Sequence, residues 1–65
     1  MFKNNYRAAR KKKGLTIEEA AFKLNLSVST LYSYEQGKTC PIAETVKDMC
    51  GLYSAKSDYL IALKD

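Results

Sequence analysis

The chain has 65 residues, a net charge of +4 and a sequence pI near 9.2. A chain of this length holds at most one domain, which buries on folding only roughly 60% of the surface of its unfolded chain. Hydrophobic residues make up 46% and charged residues 28%, a globular composition that excludes a disordered chain. With three glycines and one proline, a small all-helical core is the expected architecture.

The positive charge is concentrated in the first third of the chain. Residues 1–23 contain seven basic and two acidic side chains, whereas the other 42 residues contain four basic and five acidic ones. A basic end on a near-neutral body suggests a polyanionic partner, although the same charges also serve solubility. The run Arg10–Lys13 is either a phosphate clamp or a solvated helix end that the helix dipole favours.

The residue types needed for metal binding and catalysis are scarce. Cys40 and Cys50 are the only cysteines, their spacing is not that of a zinc site, and histidine is absent. We therefore expect no metal, no cofactor and no small-molecule substrate. Without paired carboxylates, a glycine-rich phosphate loop or an activated cysteine, an enzyme is not expected. No stretch is apolar enough for a signal peptide or a membrane span, which predicts a cytoplasmic protein.

The hydrophobic spacing is helical along the whole chain and predicts five helices. The first spans about residues 4–13, where Asn4 or Asn5 can serve as the N-cap. Its apolar stripe consists of Phe2, Tyr6 and Ala9. It stops at Gly14, because glycine adopts the left-handed conformation at little cost.

The second helix begins at Thr16, whose hydroxyl forms a capping box with the carboxylate of Glu19. It runs for about eight residues to Asn25, the best non-glycine residue for a left-handed turn. Leu26 is apolar inside this turn, so we expect it to fill the core between the second and third helices. Two short helices joined by such a turn form a helix-turn-helix, here at about residues 16–36.

The third helix is capped by Ser27 and stops at Gly37. After a loop, the fourth spans about residues 42–53 and the fifth about residues 57–63. The apolar residues that the last two helices place on their buried faces are Val46, Met49, Cys50, Tyr53, Leu60 and Leu63.

The third helix, at about residues 28–36, has two different faces. One side gathers Leu31, Tyr34 and Glu35, with Leu31 as the core anchor. The other side carries no charge and consists of Val28, Ser29, Tyr32, Ser33 and Gln36. Small polar and apolar groups suit base edges in a DNA major groove, where they meet hydrogen-bonding groups and thymine methyls. Alternatively, Val28 and Tyr32 pack on a neighbouring element.

Several segments match one known family. They are Arg10–Thr16, Glu19–Ala21, Lys23–Leu24, Ser27–Leu31, Tyr34–Lys38, Pro41, Glu44–Val46 and Asp58–Leu60. On these residues the sequence resembles the phage repressor/Cro (XRE-type) helix-turn-helix family, from about residue 6 to residue 61. The resemblance implies a compact five-helix, lambda-repressor-like DNA-binding domain spanning residues 1–65. It further implies a sequence-specific transcription regulator that is encoded by a bacterium or a phage.

The resemblance also implies roles at the matched positions. The residues that would face the bases are Ser27, Val28, Ser29, Tyr32 and Ser33. The residues that would hold phosphates are Thr16, Gln36, Lys38 and Thr39. The backbone N–H groups of Lys38 and Thr39 would add to that grip. Arg10 and Glu35 would form a structural ion pair that braces the first helix on the end of the third.

Three positions depart from the family's usual pattern. Ile17 replaces a glutamine that often grips a phosphate, Asn25 replaces the usual glycine, and Val28 stands where relatives are often polar. The first turns of the third helix therefore lack a side chain that could form two hydrogen bonds to one guanine or adenine base. Specificity would rest on thymine methyls, serine hydroxyls, Tyr32 and DNA shape.

The expected partner is double-stranded DNA with a two-fold operator, since half-sites for this fold usually lie about one helical turn apart. We expect a weak homodimer with helix four or five at the interface, because Tyr59, Ile61 and Leu63 spread apolar groups over several faces. This dimer forms either in the free protein or only on DNA. Met1 and the compact length favour a whole small protein. The alternative is a protein-interaction module on the same scaffold, such as an antitoxin or anti-repressor subunit, which the uncharged face would suit.

Overall fold

A computed structural model describes residues 3–62 of the chain. Within these residues there are five helices and no strand, so the predicted all-α, five-helix fold is confirmed. The helices are α1 (Tyr6–Lys12), α2 (Ile17–Lys23), α3 (Val28–Gln36), α4 (Ala43–Tyr53) and α5 (Ser57–Leu60). None of these described helices has the length and apolar character to cross a membrane.

The two predicted N-caps before α2 and α3 are present. The Thr16 hydroxyl accepts a hydrogen bond from the Glu19 N–H at 3.1 Å, and the Glu19 carboxylate accepts one from the Thr16 N–H at 2.9 Å. These bonds, led by the one from the Thr16 backbone, lower the pKa of the Glu19 carboxyl. At the start of α3, the Ser27 hydroxyl accepts from the Thr30 N–H at 3.1 Å. Each cap satisfies a helix N–H that has no partner within its helix.

The predicted helix stops are also confirmed. Gly14, Asn25 and Gly37 have φ angles of 73°, 59° and 77°, all in the left-handed region. The turn at Asn25 sends the chain straight from α2 into α3, and the Leu26 N–H donates to the Ala21 carbonyl at 2.8 Å. Leu26 is half-buried against the core, as expected for a residue that fills the space between the two helices.

The last helix is shorter than predicted. α5 ends at Leu60, and Ala62 has a φ of 52°, which no α-helix contains. The prediction that this helix continues to about residue 63 is therefore wrong at residues 61 and 62, and residue 63 lies outside the described range. The predictions that place Phe2 and Leu63 on buried faces concern residues outside the described range.

Nine buried apolar residues form the core of the described chain, and all five helices or their caps contribute to it. They are Tyr6, Ala9, Ala20, Ala21, Leu24, Leu31, Met49, Tyr53 and Leu60. α2 packs on α3, and both alanines of α2 are buried in the core. In α4, Met49 and Tyr53 are buried as predicted, whereas Val46 and Cys50 are only half-buried. Cys50 and the exposed Cys40 are both free thiols.

An ion pair between α1 and the end of α3 is almost completely enclosed. The Arg10 Nε lies 2.7 Å from Glu35 Oε2 and the Arg10 Nη2 lies 3.1 Å from Glu35 Oε1, so the pair is bidentate. Only 9% of the Arg10 side chain and 3% of the Glu35 side chain is exposed. The hydrogen bond to Glu35 raises the pKa of the Arg10 guanidinium. A third bond, from Arg10 Nη1 to the Leu15 carbonyl at 3.0 Å, ties the turn before α2 to the same pair.

Candidate nucleic-acid interface

One side of α3 is anchored in the core and the opposite side faces solvent. Leu31 is completely buried, whereas Val28 is 41% and Tyr32 54% exposed. Ser29 is exposed as well. The alternative in which Val28 and Tyr32 pack on a neighbouring element is therefore wrong.

The exposed side of α3 carries two parallel stripes of different chemistry. Val28 and Tyr32 lie one turn apart and form an apolar stripe, and Ser29 and Ser33 form a hydroxyl stripe beside it. Gln36 is exposed in the last turn. We call these five residues the outer face of α3. It contains no charge, since the one ionisable acid of this helix, Glu35, is turned into the ion pair with Arg10.

The hydroxyls of two residues that the sequence predicts to face the bases, Ser27 and Ser33, form hydrogen bonds with other residues of the chain. Ser27 caps α3 and donates its own hydrogen to the Thr30 Oγ1 at 2.7 Å. Ser33 is half-buried, and its Oγ lies 3.2 Å from the Thr39 Oγ1. The hydroxyls of Ser29 and Tyr32, in contrast, make no hydrogen bond with any of residues 3–62. Ser29 and Tyr32 are therefore the hydroxyl groups of α3 that are best placed to meet a ligand.

The sequence-predicted phosphate residues lie at the ends of α2 and α3. Gln36, Lys38 and Thr39 are exposed at the C-terminal end of α3, and Thr16 is exposed at the start of α2. One part of the prediction is wrong: the Lys38 N–H is not available, because it donates to the Ser33 carbonyl at 3.1 Å. The left-handed Gly37 imposes this bond by folding the chain back over the helix end.

Thr16 has few hydrogen-bond donors left that could bind a phosphate group. Its backbone N–H is already bonded to the Glu19 carboxylate. Glu18 and Glu19 are both exposed in the first turn of α2, where they repel a phosphate group. The hydrogen of its hydroxyl is the one donor that Thr16 can still offer to a phosphate oxygen.

Residues 7–60 match a family model described as helix-turn-helix. The chain belongs to the helix-turn-helix family. It is also 40% identical over 53 residues to the HTH-type transcriptional regulator ImmR of Bacillus subtilis (strain 168). That alignment covers 82% of this chain and 42% of the regulator, so the chain spans less than half the length of this relative. The family resemblance drawn from the sequence is confirmed, and the family is not one of enzymes.

In this helix-turn-helix protein, α2 and α3 are the two helices of the motif, and residues 24–27 form the turn. Among residues 3–62, no group of three histidine, cysteine or acidic side chains lies together in a way that could hold a metal ion.

Sequence reasoning missed how the start of α1 holds the rest of the helix-turn-helix domain. Asn4 or Asn5 was expected to cap α1. Asn5 makes no capping bond, and its side-chain amide donates to the Tyr59 carbonyl at 2.6 Å. The Asn4 Oδ1 does accept from the N–H of Tyr6, the first residue of α1, at 3.2 Å, so the expectation holds for Asn4. What the sequence did not show is that the Asn4 amide also donates to the Tyr34 carbonyl at 3.0 Å. Asn4 therefore fixes the last turn of α3 from behind. Two adjacent asparagines were the only signal in the sequence.

The Tyr53 hydroxyl was missed as well. It is buried beside the Arg10–Glu35 pair and has no hydrogen-bond partner among the described residues. Burial, and secondarily the Glu35 charge, raise its pKa to about 12. A pattern of apolar spacing places the Tyr53 ring in the core but says nothing about its oxygen.

Proposed function

We propose that this domain is a sequence-specific transcription regulator that binds double-stranded DNA with α3 in the major groove. The observation that carries the proposal is the solvent-exposed, uncharged outer face of α3, opposite the buried Leu31. The major groove of B-DNA is about 12 Å wide and admits an α-helix. A helix that enters it needs a face without bulky charged groups and a rigid attachment on the other side. The capped turn, Leu26 and the bond from Asn4 supply that attachment.

Within this proposal, bases and phosphates are contacted by different residues. Val28, Ser29 and Tyr32 meet base edges, and Ser27 and Ser33 lie beside them with their hydroxyls shared with Thr30 and Thr39. The Lys38 ammonium is the main phosphate ligand, and side chains of Gln36, Thr39 and Thr16 assist it. The positive charge of the chain as a whole adds a sequence-independent attraction.

We also propose that two copies bind a two-fold operator. Large apolar side chains remain exposed away from α3, among them Ile42 at 68%, Tyr59 at 48% and Ile61 at 38%. They lie at the start of α4 and around α5, the region where we place a weak dimer contact that DNA strengthens. Sedimentation of the protein alone and on a selected duplex tests this. A strict monomer in both samples would reject the dimer.

Selection of bound duplexes from a random pool tests the function itself. Wild type should select a common motif with two-fold symmetry. Ser29→Ala and Tyr32→Ala should change the selected motif, because they remove groups that meet bases. Lys38→Ala should keep the motif and weaken all duplexes alike. Its matched control is Lys47→Ala, which removes the same charge from an exposed site on α4.

A salt titration separates DNA binding from the alternative of a protein-interaction module. Each phosphate that a cation neutralises adds about 0.9 to the slope of log K against log salt concentration. The slope should therefore fall by about one in Lys38→Ala and stay unchanged in Lys47→Ala. If no duplex binds even at low salt, an antitoxin-like or anti-repressor-like role replaces our proposal. If DNA binding stands, we place the protein in the cytoplasm of a bacterium, where its duplex target is found.

A further inference from the structure

The chemistry of the outer face also indicates which feature of the bases α3 reads. This step rests on the proposed function. We infer that Val28 and Tyr32 recognise the C5-methyl group on the major-groove edge of a pyrimidine. Thymine supplies that group in ordinary DNA, and 5-methylcytosine supplies it in methylated DNA. Binding of this protein then responds to cytosine methylation within its site.

The position of the apolar stripe is the first reason. Val28 is the first residue of α3, and the N-terminal residues of a reading helix are the ones that contact base edges. Its exposed methyl groups therefore come closest to the bases. Tyr32 follows one turn later on the same face and is 54% exposed. A continuous apolar ridge of two side chains thus points toward the groove.

The second reason is what the rest of the helix lacks. Guanine and adenine are read mainly by arginine, lysine, asparagine or glutamine. Between residues 27 and 35 the sequence contains none of these, and Gln36 lies in the last turn. An apolar side chain placed on a polar base edge removes water without replacing its hydrogen bonds, which is unfavourable. On a methyl group the same contact is favourable.

The third reason concerns the group next to the methyl. Thymine presents an oxygen acceptor at C4, whereas cytosine presents an amino donor there. A valine side chain does not distinguish these two groups. The neighbouring Ser29 hydroxyl has no partner among residues 3–62, and a hydroxyl can either donate or accept. The same pair of side chains therefore accommodates thymine and 5-methylcytosine.

A four-base comparison tests the inference. In a selected duplex, each thymine of one half-site is replaced in turn by uracil, cytosine or 5-methylcytosine, and the Kd is measured by fluorescence anisotropy. At one or two positions thymine should bind about fourfold more tightly than uracil, the ratio that corresponds to about 0.8 kcal/mol for one buried methyl-sized group. At the same positions 5-methylcytosine should exceed cytosine by a similar factor.

Variants assign the effect to residues. Val28→Ala should abolish the methyl dependence at one position, and Tyr32→Ala should do so at a second. The matched control is Phe22→Ala, which shortens an aromatic side chain that is 85% exposed on α2 and outside the proposed dimer contact. This control should keep the wild-type methyl dependence. Since all three side chains are exposed, far-UV circular dichroism should show that every variant is folded.

The possible failures are distinguishable. Salt-dependent DNA binding in which uracil equals thymine at every position would overturn the inference and leave the proposed function intact. A methyl dependence that survives both Val28→Ala and Tyr32→Ala would overturn the assignment to these residues. Absence of binding to any duplex at low salt would overturn the inference together with the proposed function.

Discussion

Replacement of Glu35 by leucine leaves the Arg10 guanidinium enclosed without a counter-charge. Two hydrogen bonds of 2.7 and 3.1 Å are lost, and only the bond to the Leu15 carbonyl remains. Removing one partner of a buried ion pair costs roughly 3–5 kcal/mol. A domain of this length has a free energy of unfolding of roughly 3–10 kcal/mol, on the basis of 0.05–0.15 kcal/mol per residue. Glu35→Leu should therefore be close to unfolding at room temperature.

Arg10→Met should be at least as destabilising, because it leaves two acceptors without partners. These are the Glu35 carboxylate, 3% exposed, and the Leu15 carbonyl. The double variant Arg10→Met/Glu35→Leu removes both charges. It leaves only the Leu15 carbonyl without its partner, which costs about 1–3 kcal/mol. Apolar pairs often replace buried ion pairs at little cost or with a gain. The double variant should thus be more stable than either single variant.

Urea unfolding followed by circular dichroism measures this as a double-mutant cycle. The coupling free energy between the two positions should be several kcal/mol. Lys12→Met is the control, since it removes an exposed cation from the same helix and should change stability by less than about 0.5 kcal/mol. Single variants that each cost under about 1 kcal/mol, or a double variant whose cost equals their sum, would refute the reasoning.

Three further predictions concern stability. Tyr53→Phe should not lower the free energy of unfolding at pH 7 in thermal melts, because the Tyr53 hydroxyl has no partner among residues 3–62. The unfolded tyrosine loses its proton near pH 10 and the folded one only near about 12. The free energy of unfolding of wild type should therefore fall by up to about 3 kcal/mol between these pH values, whereas that of Tyr53→Phe should not. Thr16→Ala should lower the free energy of unfolding in urea by about 0.5–2 kcal/mol, since it removes the hydroxyl of the capping box. Asn25→Gly should maintain or raise the melting temperature, and Asn25→Val should lower it, because the φ of 59° disfavours a β-branched residue.

Each of these has an outcome that contradicts it. A Tyr53→Phe variant that loses more than about 1 kcal/mol at neutral pH would mean that the hydroxyl has a favourable partner. Equal alkaline slopes for this variant and wild type would rule out the raised pKa. Thr16→Ser serves as the control for Thr16→Ala, since it keeps the hydroxyl. An Asn25→Val variant as stable as wild type would contradict the expectation that the φ of 59° at this position strains a β-branched residue.

The parts of the fold that could be predicted from the sequence are those that neighbouring residues determine. The capping box of Thr16 and Glu19 spans three residues, and the stops at Gly14, Asn25 and Gly37 depend on one residue each. The two faces of α3 follow from helical periodicity alone. These signals are local, so no knowledge of the tertiary structure was needed to find them.

The features that could not be predicted depend on residues far apart in the chain or on competing hydrogen bonds. The Asn5 amide bonds to a carbonyl 54 positions away, and no local pattern distinguishes that bond from a cap. The Lys38 N–H was assigned to a phosphate because the sequence does not show that Gly37 directs it to the Ser33 carbonyl. The isolated Tyr53 hydroxyl depends on the packing around the ion pair. Helix and turn propensities depend on neighbouring residues and therefore do not predict any of these three features.

The weakness of methyl contacts has a consequence for how many copies must bind. Two methyl contacts, each worth about fourfold over uracil, contribute only about 16-fold to the preference of one domain for its half-site, and those of two half-sites contribute about 250-fold. Specific DNA-binding proteins typically prefer their sites by at least about 10³-fold. The methyl contacts of a single domain therefore discriminate poorly, and even two copies need hydrogen bonds from Ser29 and Tyr32 or help from DNA shape. Duplexes that carry one half-site should accordingly bind with a preference at least about tenfold lower than duplexes that carry two.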